Sequence, residues 1–196
     1  MTAIAGDGQS PRSKFGAESL ARLEKYIWPK GFARDAWMVV DAARDQRIFG
    51  LLLECFYSQH ACLFDGNIPP ELRVAAPYLV QLDYDDRKTR RFITYAWNNS
   101  WGVFLRCDTR LEQLKRHLQT LLIARDESGR QLLFRYYDPR VLREYLPTCT
   151  PEEVRTVFGP VDCFYVESGA PNRVLEFRFA KNLVVNSLSL SAAEQS

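Results

Sequence analysis

Cys55, His60 and Cys62 are the residues of this chain whose types and closeness could begin a metal site, since thiolate and imidazole are the usual ligands of zinc. Zinc takes three or four such ligands, and no matching Cys/His pair follows at usable spacing, so a metal is not expected. A thiol activated by imidazole would have to pair Cys107 with His117, a separation that gives the idea no geometric support. His117 stands beside Leu118 on a leucine-rich stretch, where an imidazole at the edge of a core is a simpler reading than a catalytic base. There is no Gly-rich phosphate loop, nucleophile elbow or two-histidine metal motif. Asp83, Asp85 and Asp86 run directly into Arg87, Lys88, Arg90 and Arg91, the pattern of a solvated surface.

One catalytic possibility remains in the middle of the chain. Arg106, Arg110, Lys115, Arg116, Arg125, Arg130, Arg135, Arg140 and Arg143 outnumber the acids between them. Such a segment could clamp a phosphate or carboxylate while an acidic residue acts as base, which would make an enzyme for an anionic small molecule. The plainer explanation is a solvated helix face with arginines at strand ends.

The elements that position these residues are clearest from Gly129 to Val161. Gln131–Tyr137 reads as a strand whose mixed faces imply burial on both sides. Asp138-Pro139 supplies an N-cap oxygen and a proline at the first helical position, where a missing N–H costs nothing. A short helix through Val141, Leu142 and Tyr145 should follow. Thr150-Pro151-Glu152-Glu153 is a capping box, and Gly159-Pro160 ends the helix it starts.

Upstream, Phe15–Trp28 reads as an amphipathic helix, Trp37–Val40 as a short buried strand, and Asp45–Phe56 as a helix with Ile48, Leu51, Leu52 and Cys55 inward. Ala61–Phe64 and Tyr78–Leu82 are strands, and Asp85–Tyr95 is a charged surface helix broken by Asn98-Asn99-Ser100. Trp101–Arg106 is a strand, and Arg110–Ile123 a helix with Leu111, Leu114, Leu118, Leu121 and Leu122 in one stripe. Cys163–Glu167 and Val174–Phe179 pair as strands, the second with Leu175, Phe177 and Phe179 toward the core and Glu176 and Arg178 toward water.

The sum is an α/β chain, with α+β as the neighbouring possibility: a mixed sheet flanked by helices and a small C-terminal helical and β lobe. Residues 1–14, polar and Gly/Ser-rich, read as a disordered leader without a secretory signal. Residues 15–181 form the domain, with a sub-lobe boundary near 138–150, and 182–196 read as a fraying tail. The 196 residues, 46% hydrophobic and 13% aromatic, suffice for a packed core, and no run approaches the ~20 apolar residues of a membrane span. A net charge of +2 is too balanced for a dedicated nucleic-acid binder, so neither nucleic acid nor membrane is an expected partner. The five cysteines lie far apart, as reduced thiols of a cytoplasmic protein would.

The phrase Phe134-Arg-Tyr-Tyr-Asp-Pro-Arg-Val-Leu142, together with Trp101-Gly-Val-Phe-Leu and Leu111-x-x-Leu-x-x-x-Leu118-x-x-Leu-Leu122, resembles the effector adaptor or chaperone family of bacterial type VI secretion. The likeness runs from about Trp37 to Val161. It implies a non-catalytic protein of the bacterial cytoplasm that binds a toxic effector and brings it to the valine-glycine-repeat (VgrG) spike before secretion, without a cofactor. An adaptor needs an exposed surface rich in aromatics and arginine, chemistry that Trp97, Trp101, Arg135, Tyr136, Tyr137 and Arg140 could supply. The same tryptophans and Tyr136 would equally fill a core, with Arg135 paired to a carboxylate. A broad, partly apolar concavity would speak for the adaptor, and a deep charged cleft for the enzyme.

Overall fold

A computed structural model of the chain describes residues 15–29, 36–125 and 128–191. The expected leader, residues 1–14, lies outside them.

Seven strands form the central sheet: β1 (Ala36–Asp41), β2 (His60–Cys62), β3 (Pro77–Gln81), β4 (Gly102–Arg106), β7 (Cys163–Glu167), β8 (Arg173–Phe179) and β9 (Leu183–Ser189). Their order is β2-β3-β1-β4-β7-β8-β9, and each pairing is antiparallel. β1 is buried along its whole length, as a central strand covered on both faces must be. Met38 and Val40 join the core of one face while Trp37 and Val39 join that of the other. Gly102, which pairs with Val40, has a specific reason to be glycine: a Cβ there would stand 2.0 Å from the Val39 carbonyl oxygen.

Helices α1 (Ala17–Ile27), α2 (Arg47–Phe56) and α4 (Arg87–Ala96) cover the first face through Leu23, Ile27, Ile48, Leu52, Phe92 and Ile93. The short α3 (Pro70–Arg73) lies between β2 and β3 in sequence and buries none of its residues. The charged segment before and within α4 has structural work. Asp86 caps the helix by accepting from the Lys88 and Thr89 amides. Arg90 then donates to Glu24 at 2.8 Å and Arg91 to Glu54 at 2.8 Å, pinning α4 to α1 and α2. Helices α5 (Leu111–Thr120), α6 (Pro139–Tyr145) and α7 (Pro151–Phe158) cover the second face through Leu114, Leu118, Leu142, Val154 and Phe158. The result is a mixed α/β fold in three layers.

The helix ends follow the local chemistry. Asp138 accepts from the Arg140 amide, Thr150 and Glu153 form the complete capping box, and Gly159 ends α7 with φ +48°. Asn98 and Ser100, in the breaker after α4, also have positive φ.

Three expectations are corrected. Gln131–Tyr137 is not a strand buried on both faces: only β6 (Gln131–Leu133) is extended, paired with β5 (Ile123–Arg125) in a separate, fully exposed hairpin. Phe134–Tyr137 then turns inward to pack Tyr136 and Tyr137 against the second face. The tail expected to fray from Asn182 instead supplies β9, registered residue by residue on β8. Glu176 does not face water. It is buried and accepts from Tyr165, Arg178 and Asn186, whose bonds replace hydration.

Candidate functional site

The turn Phe134–Asp138 and the helix it starts bring two kinds of surface together. One is charged, at the end of the sheet where β1 and β7 finish and β4 begins.

Asp41 closes β1 and is buried there, with one carboxylate oxygen accepting from the Ala43 amide at 3.1 Å. The Arg135 guanidinium donates to its other oxygen, and that bond holds the guanidinium firmly protonated. Asp138 repeats the arrangement three residues on. Its carboxylate is buried, caps α6 and accepts from Arg140 Nε at 2.9 Å and from Arg140 Nη2. Burial works to raise the Asp138 pKa, but the Arg140 bonds outweigh it and the group stays below the ordinary carboxylate value.

Arg143, one turn further along α6, donates from Nη1 to the Glu167 carbonyl at 3.3 Å. Its guanidinium rests against Gly169, where φ is +84° and a Cβ would lie 3.0 Å from Nη1. The Glu167 side chain accepts from the Ser100 amide at 3.1 Å. Burial nevertheless pushes its pKa up to about 7, against the pull of the Ser100 and Asn98 amides and of Arg143. Asn98, Ser100, Arg140, Arg143, Glu167 and Gly169 line a cavity of about 370 Å³. It offers guanidinium donors for an anion beside an acid poised to exchange a proton near neutrality.

The second surface is apolar and lies at the other end of α6. Phe134 and Tyr145 meet edge to face with centroids 4.6 Å apart. With Leu121, Ile123, Thr156 and Val157 they line a groove of about 290 Å³, rimmed by Glu152 and Glu153. The β5–β6 hairpin beside it leaves Ile123 52%, Leu132 50% and Leu133 49% exposed. Ile123 and Leu133 pair across the hairpin on one face and Leu132 stands on the other, so the hairpin presents apolar side chains on both.

Of the six residues expected to contact a partner, four are interior. Trp97 is 1% exposed and packs on Phe15 and Phe104; Trp101 is 3% exposed and meets Phe92 edge on. Tyr136 and Tyr137 are buried, and the Tyr136 hydroxyl donates to the Leu118 carbonyl at 3.0 Å. Burial raises both phenols well above their ordinary value, Tyr137 to about 12. These aromatics stabilise the layers by filling the core. Arg135 and Arg140 do reach the surface, each through an acid that positions it. Sequence reasoning missed Arg143 and Glu167 as neighbours, and missed Ile123, Leu132 and Leu133 as an exposed set beside the half-buried Tyr145. A signal for the latter lay in Gln131-Leu-Leu-Phe, where adjacent leucines on a three-residue strand must point to opposite faces.

The remaining candidates are structural. His117 donates from Nε2 to the Val157 carbonyl at 3.0 Å, and burial lowers its pKa. The His60 Nδ1 donates to the Phe56 carbonyl at 2.7 Å. All five cysteines are free thiols, and among the described residues no three His, Cys, Asp or Glu side chains group to hold a metal ion. No helix of the described residues is long and apolar enough to cross a membrane.

Residues 36–156 match the model of a family described as a domain of unknown function, DUF4123. The match opens at the first residue of β1 and closes within α7, so it contains Arg135, Asp138, Arg140 and Arg143 and stops short of Glu167. No curated protein and no solved structure matches the chain.

Proposed function

Because this chain belongs to the DUF4123 family, we propose that it is a non-catalytic adaptor of type VI secretion, which binds a cognate toxic effector in the bacterial cytoplasm and helps load it onto the VgrG spike. The domain is known in type VI secretion effector adaptors, which supports the reading at the level of the family. The observation that carries it in this chain is the apolar groove under Phe134 and Tyr145 with the exposed hairpin beside it. Burial of Ile123, Leu132 and Leu133 by a partner would release apolar surface from water, while Glu152 and Glu153 at the rim give polar contacts that set register. The test is capture from a lysate of the source bacterium by the immobilised protein, at low and moderate salt. Recovery of a toxin together with a spike protein is expected.

A second reading is favoured by the charged cavity. There Arg140 and Arg143 would clamp an anionic small molecule and Glu167, with its raised pKa, would act as acid or base. Retention of small anionic metabolites by the protein, with neither toxin nor spike recovered, would put this enzyme reading first.

A further inference from the structure

The sheet ends at β9, and among the described residues no strand covers its outer edge. The phase of its hydrogen bonds is fixed at both ends: the Leu190 amide donates to the Asn172 carbonyl, and the Ala180 amide to the Asn182 carbonyl. In this antiparallel register Val184, Asn186 and Leu188 therefore exchange bonds with β8, and Leu183, Val185, Ser187 and Ser189 direct their N–H and C=O groups outward. The Ser189 carbonyl already accepts the Tyr26 hydroxyl at 3.0 Å, which closes that end. What stays open is the window Leu183, Val185, Ser187, symmetric about Val185.

Edge strands are ordinarily blunted by charge, proline, a bulge or shortness. The opposite edge of this sheet, β2, is three residues long. β9 has seven residues, Leu-Val-Val-Asn-Ser-Leu-Ser, with no charge and no proline, and it leaves Val184 43% and Val185 45% exposed.

We propose that β9 pairs with β9 of a second copy of this chain, antiparallel about a two-fold axis at Val185, to make a continuous sheet across a homodimer. A second copy is chosen because the strand is self-complementary: it carries no charge to repel its copy, and the window that Tyr26 limits at Ser189 maps onto itself when turned about Val185. An axis at Val185 sets Val185 opposite itself and Leu183 opposite Ser187 of the second copy, so every outward group of the window finds its partner in about six hydrogen bonds. Val184 then meets Asn186 of the second copy on the other face, and no like charges confront one another within the strand. The interface is isologous and closed, which ends assembly at two.

Sedimentation of the purified full chain across a concentration series tests this. A monomer–dimer equilibrium is expected, weakened at least about tenfold by Val185→Lys, which places like charges face to face across the axis. Val185→Pro deletes an outward N–H without removing a bond to β8, and should act in the same direction. Amide exchange in the unmodified protein supplies a readout independent of any variant: the Leu183, Val185 and Ser187 amides should gain protection as concentration rises. A monomer at every concentration, a dimer indifferent to Val185→Lys, or outward amides whose exchange ignores concentration would each overturn the proposal.

Discussion

Arg135 donates to the buried Asp41 carboxylate from 94 residues away, tying the turn before α6 to the end of β1. The pair fixes where α6 begins, and with it both surfaces that α6 separates. Replacing Arg135 with Met keeps much of the side-chain volume but leaves the buried Asp41 carboxylate, among the described residues, with the Ala43 amide as its hydrogen-bond donor. A loss of about 3 kcal/mol is expected by urea denaturation, with part recovered by adding Asp41→Asn, because an unpaired buried charge costs more than the pair contributes. A loss under about 0.5 kcal/mol would show that the tie does not hold the turn.

Glu167 gives stability a defined pH dependence. Its folded pKa is raised to about 7 from an ordinary 4.5, so its contribution is complete below 4.5 and is lost as pH rises through 7. Glu167→Gln keeps an acceptor for the Ser100 amide and removes the ionisation. The variant should match the parent near pH 4.5 and exceed it above pH 7, by an amount bounded at ~3 kcal/mol, at about 1.4 kcal/mol per pH unit. Thermal melts at the two pH extremes measure it; an equal effect at both would contradict the assignment.

His117 works in the opposite sense. Burial lowers its folded pKa below the ordinary 6.5, so its contribution is present above 6.5 and is lost as pH falls through the lowered value. His117→Gln should flatten the loss of stability on the acid side of pH 6.5, which chemical denaturation at a series of pH values will show.

Gly159→Ala should be among the most damaging single-methyl additions in the chain. The residue has φ +48°, and its Cβ would lie 2.2 Å from the His117 ring. Backbone strain and the displaced ring together should cost about 2–4 kcal/mol, readable as a shift in the urea midpoint with an unchanged slope.

How much of this was legible in the sequence depended on range. The caps at Asp138, Thr150 and Gly159 were readable because the chemistry that makes them lies within a few residues. Trp97, Trp101, Tyr136 and Tyr137 were not resolved as core, because an interface and an interior use the same aromatics and only tertiary packing distinguishes them. Glu176 alternates with Leu175 and Phe177 as a solvent-facing residue would, and its burial depends on Tyr165 and Asn186 from the neighbouring strands. The charged cavity was hidden for the same reason: Ser100, Arg143 and Glu167 meet only when the start of β4, the body of α6 and the end of β7 come to one place.

The adaptor reading is tested most directly at the β5–β6 hairpin. Leu132→Asp with Leu133→Asp charges two exposed positions that the core does not use, so the fold should survive by circular dichroism. Capture of the effector from lysate by this variant should fall at least about tenfold relative to the parent, since a charge driven into an apolar contact loses its hydration. Undiminished capture by a folded variant would contradict the claim that this apolar surface receives the effector.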